Sequence, residues 1–139
     1  MEDGSIVPSV KLVRRLGAVS LVLPSLDHLI SPTLTMLFAP AIMETMFGQG
    51  FVAATVFFIV LGLFQLFWIR VLLKSNDPLL LSLGVLGNLF SILIYFISTG
   101  GVTIFGVPPQ PLIPFGVLIK ALEAVYVIAT LYVLKVRTV

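Results

Sequence analysis

Cysteine is absent from this chain, and histidine occurs once, at His28. The first absence excludes disulfides, thiolate catalysis, zinc ribbons and cysteine-held iron–sulfur clusters. The second excludes a three-histidine metal site, and a haem held by two histidines of this chain. Charge is equally scarce. Only 10% of the 139 residues are charged, against about 25% in an ordinary soluble domain. The chain also lacks a phosphate-binding loop, a Gly-x-Ser-x-Gly elbow, a His-Glu-x-x-His helix and a dinucleotide fingerprint, the commonest signatures of nucleotide, hydrolase and zinc chemistry.

What is present is apolar: 59% of the residues are hydrophobic. A small soluble fold leaves roughly a third of its chain surface exposed, so it has no interior large enough to hide this much. The solvent is therefore lipid. The formal net charge is +2. Apart from Lys120, the basic residues fall into three clusters, Lys11/Arg14/Arg15, Arg70/Lys74 and Lys135/Arg137. They flank apolar runs, where orientation and anionic lipid headgroups explain them better than nucleic acid does.

The runs predict four membrane spans, about 12–30, 51–73, 78–98 and 114–134. The first is about 28 Å long as a helix, enough for the hydrocarbon core if Arg14 and Arg15 snorkel. Arg14/Arg15 followed by Leu16 to Leu23 imitates a signal peptide. Pro24 and Asp27 follow in place of a small-x-small cleavage site, so an uncleaved span is expected. Pro24 should kink it. Ser31-Pro32 reads as a helix start. It opens a short helix at about 33–47, interfacial or re-entrant, or else a continuation of span one. Trp68 sits near the inner end of span two, as interfacial anchoring favours. The expected fold is all-α, a single domain forming a four-helix transmembrane bundle with this extra short helix between spans one and two. Positive-inside asymmetry places both termini in the cytoplasm of a multi-pass protein of the cell membrane.

Each span carries small or polar residues at steps of three and four: Gly17, Ser20, Pro24, Asp27 and Ser31; Thr55, Gly62 and Gln65; Gly84, Asn88, Ser91, Tyr95 and Ser98; Gly116, Lys120, Glu123 and Thr130. That spacing keeps them on one helix face, and such faces mediate helix contacts in lipid. Lys120 and Glu123 stand out, because a charge at the centre of a span costs about 2.5–3.5 kcal/mol on insertion scales. Three residues apart, they can pair. Asn88 lies at matching depth and is the expected partner of Glu123; Asp27 is a second partner for Lys120. Together with Gln65 these residues form the candidate intramembrane cluster. A separate group, Asp27, His28, Met36, Met43, Glu44 and Met46, offers His28, Met43 and Met46 as candidate copper ligands. Methionine is also ordinary apolar filler, so no metal or cofactor is expected. The run Gly106-Val107-Pro108-Pro109-Gln110-Pro111 favours a stiff extended loop.

Phe58 to Trp68, Asn88, the Gly106-Val107-Pro108 loop and the Leu122-Glu123-Ala124 step resemble a loose group of uncharacterised small prokaryotic four-helix integral membrane proteins. The resemblance covers about Gly50 to Val133 and implies architecture rather than chemistry. With almost no soluble mass and no catalytic motif, the leading expectation is a non-catalytic accessory subunit of a larger membrane complex, such as an oxidoreductase or monooxygenase. Its partners would be the bilayer and other membrane subunits. The alternative is a small transporter or an ion- or proton-handling protein built on Lys120, Glu123 and Asn88. A copper-binding helper using His28 and the methionines is a third.

Overall fold

The computed structural model describes residues 8–137, and among them the fold is all-helical. The helices are α1 Val10–Ser20, α2 Val22–Phe38, α3 Pro40–Phe47, α4 Phe51–Lys74, α5 Pro78–Thr99 and α6 Pro114–Arg137. Four helical stretches are long and apolar enough to cross a membrane: Val10–Phe38, Pro40–Lys74, Pro78–Thr99 and Pro114–Val136. Large apolar side chains such as Leu63, Phe67, Leu86, Phe90 and Ile128 are exposed on the bundle's outer surface. Lipid explains that pattern, as water does not.

Local sequence sets most of the helix ends. Ser9 Oγ accepts from Leu12 N at 3.2 Å and starts α1. Asp77 Oδ1 accepts from Leu79 N at 2.8 Å and, with Pro78 behind it, starts α5. Both are side-chain caps of otherwise orphaned amides. Pro40 and Pro114 open α3 and α6, where a missing N–H costs nothing. The first span is not straight: a single turn residue, Leu21, separates α1 from α2. Pro24 explains it, because its ring clashes with the carbonyl of Ser20 and cannot bond it.

The short helix differs from expectation. It spans Pro40–Phe47, eight residues, and the chain does not break at Ser31-Pro32. Helix α2 continues through Pro32 to Phe38. Pro32 is buried in a helix that packs along α4, so tertiary packing holds the helix through the lost bond. The break comes instead at Ala39, whose φ of −147° and ψ of 57° leave the helical region. Pro40 disfavours helix at the residue before it. Gly48 ends α3 with φ 57°, a conformation glycine adopts without strain.

The start of α1, the end of α6 and the α4–α5 connection gather at one end of the bundle, called here the terminal end. Arg14 Nη1 donates to Leu72 O at 2.6 Å and Ser75 O at 2.8 Å, and Nη2 to Asn76 Oδ1 at 2.9 Å. A cation there caps the C-terminus of α4 and complements its dipole. Tyr132 Oη donates to Pro8 O at 2.9 Å. Above these contacts lies an apolar core that includes Leu21, Leu72, Leu81, Val85, Tyr126 and Val133. At the opposite, loop end, α3 meets residues 100–113. Gln110 Nε2 donates to Met46 O at 3.0 Å, and Ile104 and Val107 bridge each other.

Small residues let the spans approach. Helix α1 packs on α6 and α4, α2 on α4, and α5 on α6. A Cβ on Gly17 would lie 2.6 Å from that of Ala129, and one on Gly62 2.7 Å from Leu29 Cγ. Trp68, expected as an interfacial anchor, is half-buried: its ring fills the space over Gly84 and Gly87 of α5 and stacks on Phe64.

Candidate functional site

Midway through the bundle, five helices' worth of apolar packing gives way to one polar network. Its members are His28 of α2, Gln65 of α4, Asn88 and Ser91 of α5, and Lys120 and Glu123 of α6, all buried. Lys120 Nζ donates to Glu123 Oε1 at 3.0 Å and Oε2 at 3.1 Å, and to Ser91 Oγ at 2.8 Å. Glu123 Oε1 also accepts from Gln65 Nε2 at 2.9 Å and Ser91 Oγ at 3.2 Å. Gln65 Nε2 bonds Asn88 Oδ1 at 3.1 Å, and Asn88 Nδ2 donates onward to Gly84 O at 2.9 Å.

This wiring fixes the role of one histidine nitrogen. Gln65 Oε1 can only accept, so His28 Nδ1, 2.8 Å away, is a donor. His28 Nε2 lies 3.5 Å from Lys120 Nζ and 3.8 Å from Glu123 Oε1. Among the described residues no buried side-chain nitrogen or oxygen lacks a partner. A fully satisfied network is what makes a buried ion pair tolerable in a low-dielectric interior.

The expected Lys120–Glu123 pair is therefore present, with Gln65 and Asn88 around it. Two expected contacts differ. Asn88 does not bond Glu123 directly; Gln65 stands between them, because its longer side chain reaches both. Asp27 forms no contact ion pair with Lys120, though it lies close enough for the two charges to interact. It accepts a 2.7 Å bond from Ser31 and stays half-buried. The buried stripe runs from Gly17 through Leu21 and on in steps of three and four, so α2 turns Pro24, Ser25, His28 and Pro32 inward in place of Asp27 and Ser31. His28, grouped in the sequence with Met43 and Met46, belongs instead to the ionic network. The four-residue rhythm Pro24–His28–Pro32 is the signal that carried it.

Between this network and the loop end lies a cavity of about 410 Å³. Lys120, His28 and Ser91 form its floor, and Asp27 and Tyr95 contribute to its sides. Phe57, Phe58, Ile94 and Ile119 line its walls, and α3 and residues 104–111 line its far end. Met43 and Met46 face it there. Small residues at Ala54 and Ser98 border it, and Gly116 makes room for the Tyr95 ring. His28 stacks on Phe58 with ring centroids 5.5 Å apart, and Lys120 Nζ lies 5.7 Å from the centre of the Tyr95 ring. The volume lies in the range of pockets that hold small organic ligands, and apolar walls with a few converging polar groups are their usual lining.

Among the described residues, no group of three or more Asp, Glu or His side chains is arranged to hold a metal ion. Ser91 Oγ and Lys120 Nζ lie 2.8 Å apart, and the lysine also meets the Glu123 carboxylate at 3.0 Å. No family model matches the chain, and neither the curated proteins nor the solved structures offer a similar one.

Proposed function

We propose that this is a non-catalytic membrane protein that binds a small, mainly apolar molecule between its spans. The observation that carries the reading is the cavity itself: about 410 Å³ of space with apolar walls, ending on a charged, fully wired floor. Apolar walls around a few converging polar groups are the usual lining of small-molecule sites. The apolar core around Leu72, Leu81 and Tyr126 closes the other side of the floor. That arrangement supports uptake from one side rather than a continuous pore. By the positive-inside rule, the terminal end with Lys11, Arg14, Arg15 and Lys74 lies in the cytoplasm, so the cavity faces outward.

The test is native mass spectrometry of protein released from native-lipid nanodiscs. The expected result is a small-molecule adduct on the wild type that disappears in Ala54→Trp, whose ring would occupy the cavity. Identical spectra for the two proteins overturn the reading.

A role as accessory subunit of a larger membrane complex is a second reading, and compatible with the first. It is supported by how little of the described chain lies outside the helices, mainly the connections 75–77 and 100–113. Native gels after mild extraction test it. A species of one or two chains with no companion subunit counts against it.

A further inference from the structure

The ionisable groups around the cavity do not balance. Lys120 and Glu123 cancel across 3.0 Å, and His28 is tied into the same network through Gln65 and Glu123. Asp27 remains. Because α2 runs on to Phe38, Asp27 lies about 16 Å of helix below that end, well inside the span. Its carboxylate borders the cavity, and its one partner among the described residues is the Ser31 hydroxyl, bonded to Oδ1 at 2.7 Å. A carboxylate offers about four acceptor positions, so most of its capacity is unused.

Taking the cavity as a ligand site, as above, we propose that its occupant is a small lipophilic cation, an organic ammonium with an apolar body, held by Asp27 as counter-ion. Three observations select this class. An anion would find no free donor on the floor, because Lys120 already donates to Ser91 and to both oxygens of Glu123. A metal ion would find too few ligands beside Asp27. The walls suit the apolar body of an organic cation, since Phe57, Ile94 and Ile119 line the same space, while Phe58 and Tyr95 each already have one face met, by His28 and by Lys120. The positive charge of Lys120 does not forbid it. Glu123 neutralises that charge at contact distance, whereas Asp27 has no cation within contact distance among the described residues and feels Lys120 only from further away.

Benzyltrimethylammonium and neopentylbenzene are the probes. They have the same shape, with the quaternary nitrogen of one replaced by carbon in the other. Binding to the full chain in lipid nanodiscs is read by ligand-observed NMR, with empty nanodiscs subtracted. The ammonium probe should bind the wild type, and Asp27→Asn should weaken it by about thirtyfold or more, the lower end of what losing one partner of a buried charge pair costs. Asp27→Glu should restore much of the affinity, which a fold defect would not allow. The uncharged probe should bind wild type and Asp27→Asn alike. Equal affinity of the ammonium probe for wild type and Asp27→Asn overturns the cation assignment. If the uncharged probe still binds in that case, the cavity remains a ligand site for another class. If neither probe binds the wild type, the cation proposal and the ligand-site reading fall together.

Discussion

Removing Glu123 should be far worse than removing Glu123 and Lys120 together. Oε1 of Glu123 is the meeting point of Lys120, Gln65 and Ser91, and Oε2 takes a second contact from Lys120. The carboxylate is fully buried, and Lys120 is 6% exposed. Glu123→Leu strands an ammonium with only Ser91 and His28 beside it. Breaking a buried pair from one side costs about 3–5 kcal/mol, and Lys120→Met should cost a similar amount by stranding the carboxylate. The double variant strands neither charge. Gln65 keeps its bonds to Asn88 and His28, and Ser91 can turn to a backbone carbonyl of its own helix. Replacing a whole buried pair by apolar residues is usually neutral or stabilising, so the double variant should lie within about 1 kcal/mol of wild type, or above it. The assay is reversible unfolding in mixed micelles, with all four proteins in a double-mutant cycle. Single variants that each cost under about 1 kcal/mol would refute the reasoning, as would a double variant whose cost equals the sum of the singles.

Three further outcomes are expected. Gln65→Leu removes the link between His28, Asn88 and Glu123 and should lower stability by about 3 kcal/mol or more, since each orphaned buried group costs about 1–3 kcal/mol; the same unfolding assay measures it. Arg14→Ala should cost about 1–2 kcal/mol through its lost bonds to the partly buried end of α4, with faster amide exchange at Val71 to Lys74 and unchanged exchange in α5. On Gly50→Ala, a Cβ would lie 2.9 Å from the carbonyl oxygen of Phe105 and 2.9 Å from Val107 Cγ2. Backbone cannot yield there as a flexible side chain would, so the change should cost about 1–3 kcal/mol and speed exchange of the Ile104 and Val107 amides.

The spans were readable because lipid leaves no choice: a long apolar run must satisfy its backbone as helix. The Lys120–Glu123 pair was readable for the same reason, since three-residue spacing puts both on one face and neither can stay alone. What escaped depends on choices that local sequence leaves open. Pro32 and Pro40 carry the same helix-breaking signal, and packing along α4 decides which of them breaks the chain. Asp27 and His28 are neighbours about 100° apart on the helix, and either could continue a stripe through Pro24, so only packing against α4 and α6 decides which faces inward. Asn88 and Gln65 both match Glu123 in depth, and only the spacing of three helices shows that the longer side chain is needed. The cavity was least readable. Small residues such as Ala54, Ser98 and Gly116 predict close helix contact as readily as open space, and nothing in one sequence says whether a large residue opposite fills the gap.

The central claim is a one-sided structure: open above the Lys120–Glu123 floor and packed below it. The absence of cysteine makes it directly testable by single-cysteine accessibility in sealed vesicles. A membrane-impermeant thiol reagent, added from the loop-end side, should modify Ser98→Cys and Thr35→Cys, both of which line the cavity. It should leave Leu81→Cys and Val85→Cys, in the apolar core, unmodified from either side. Core positions reacting as fast as cavity positions would contradict the account.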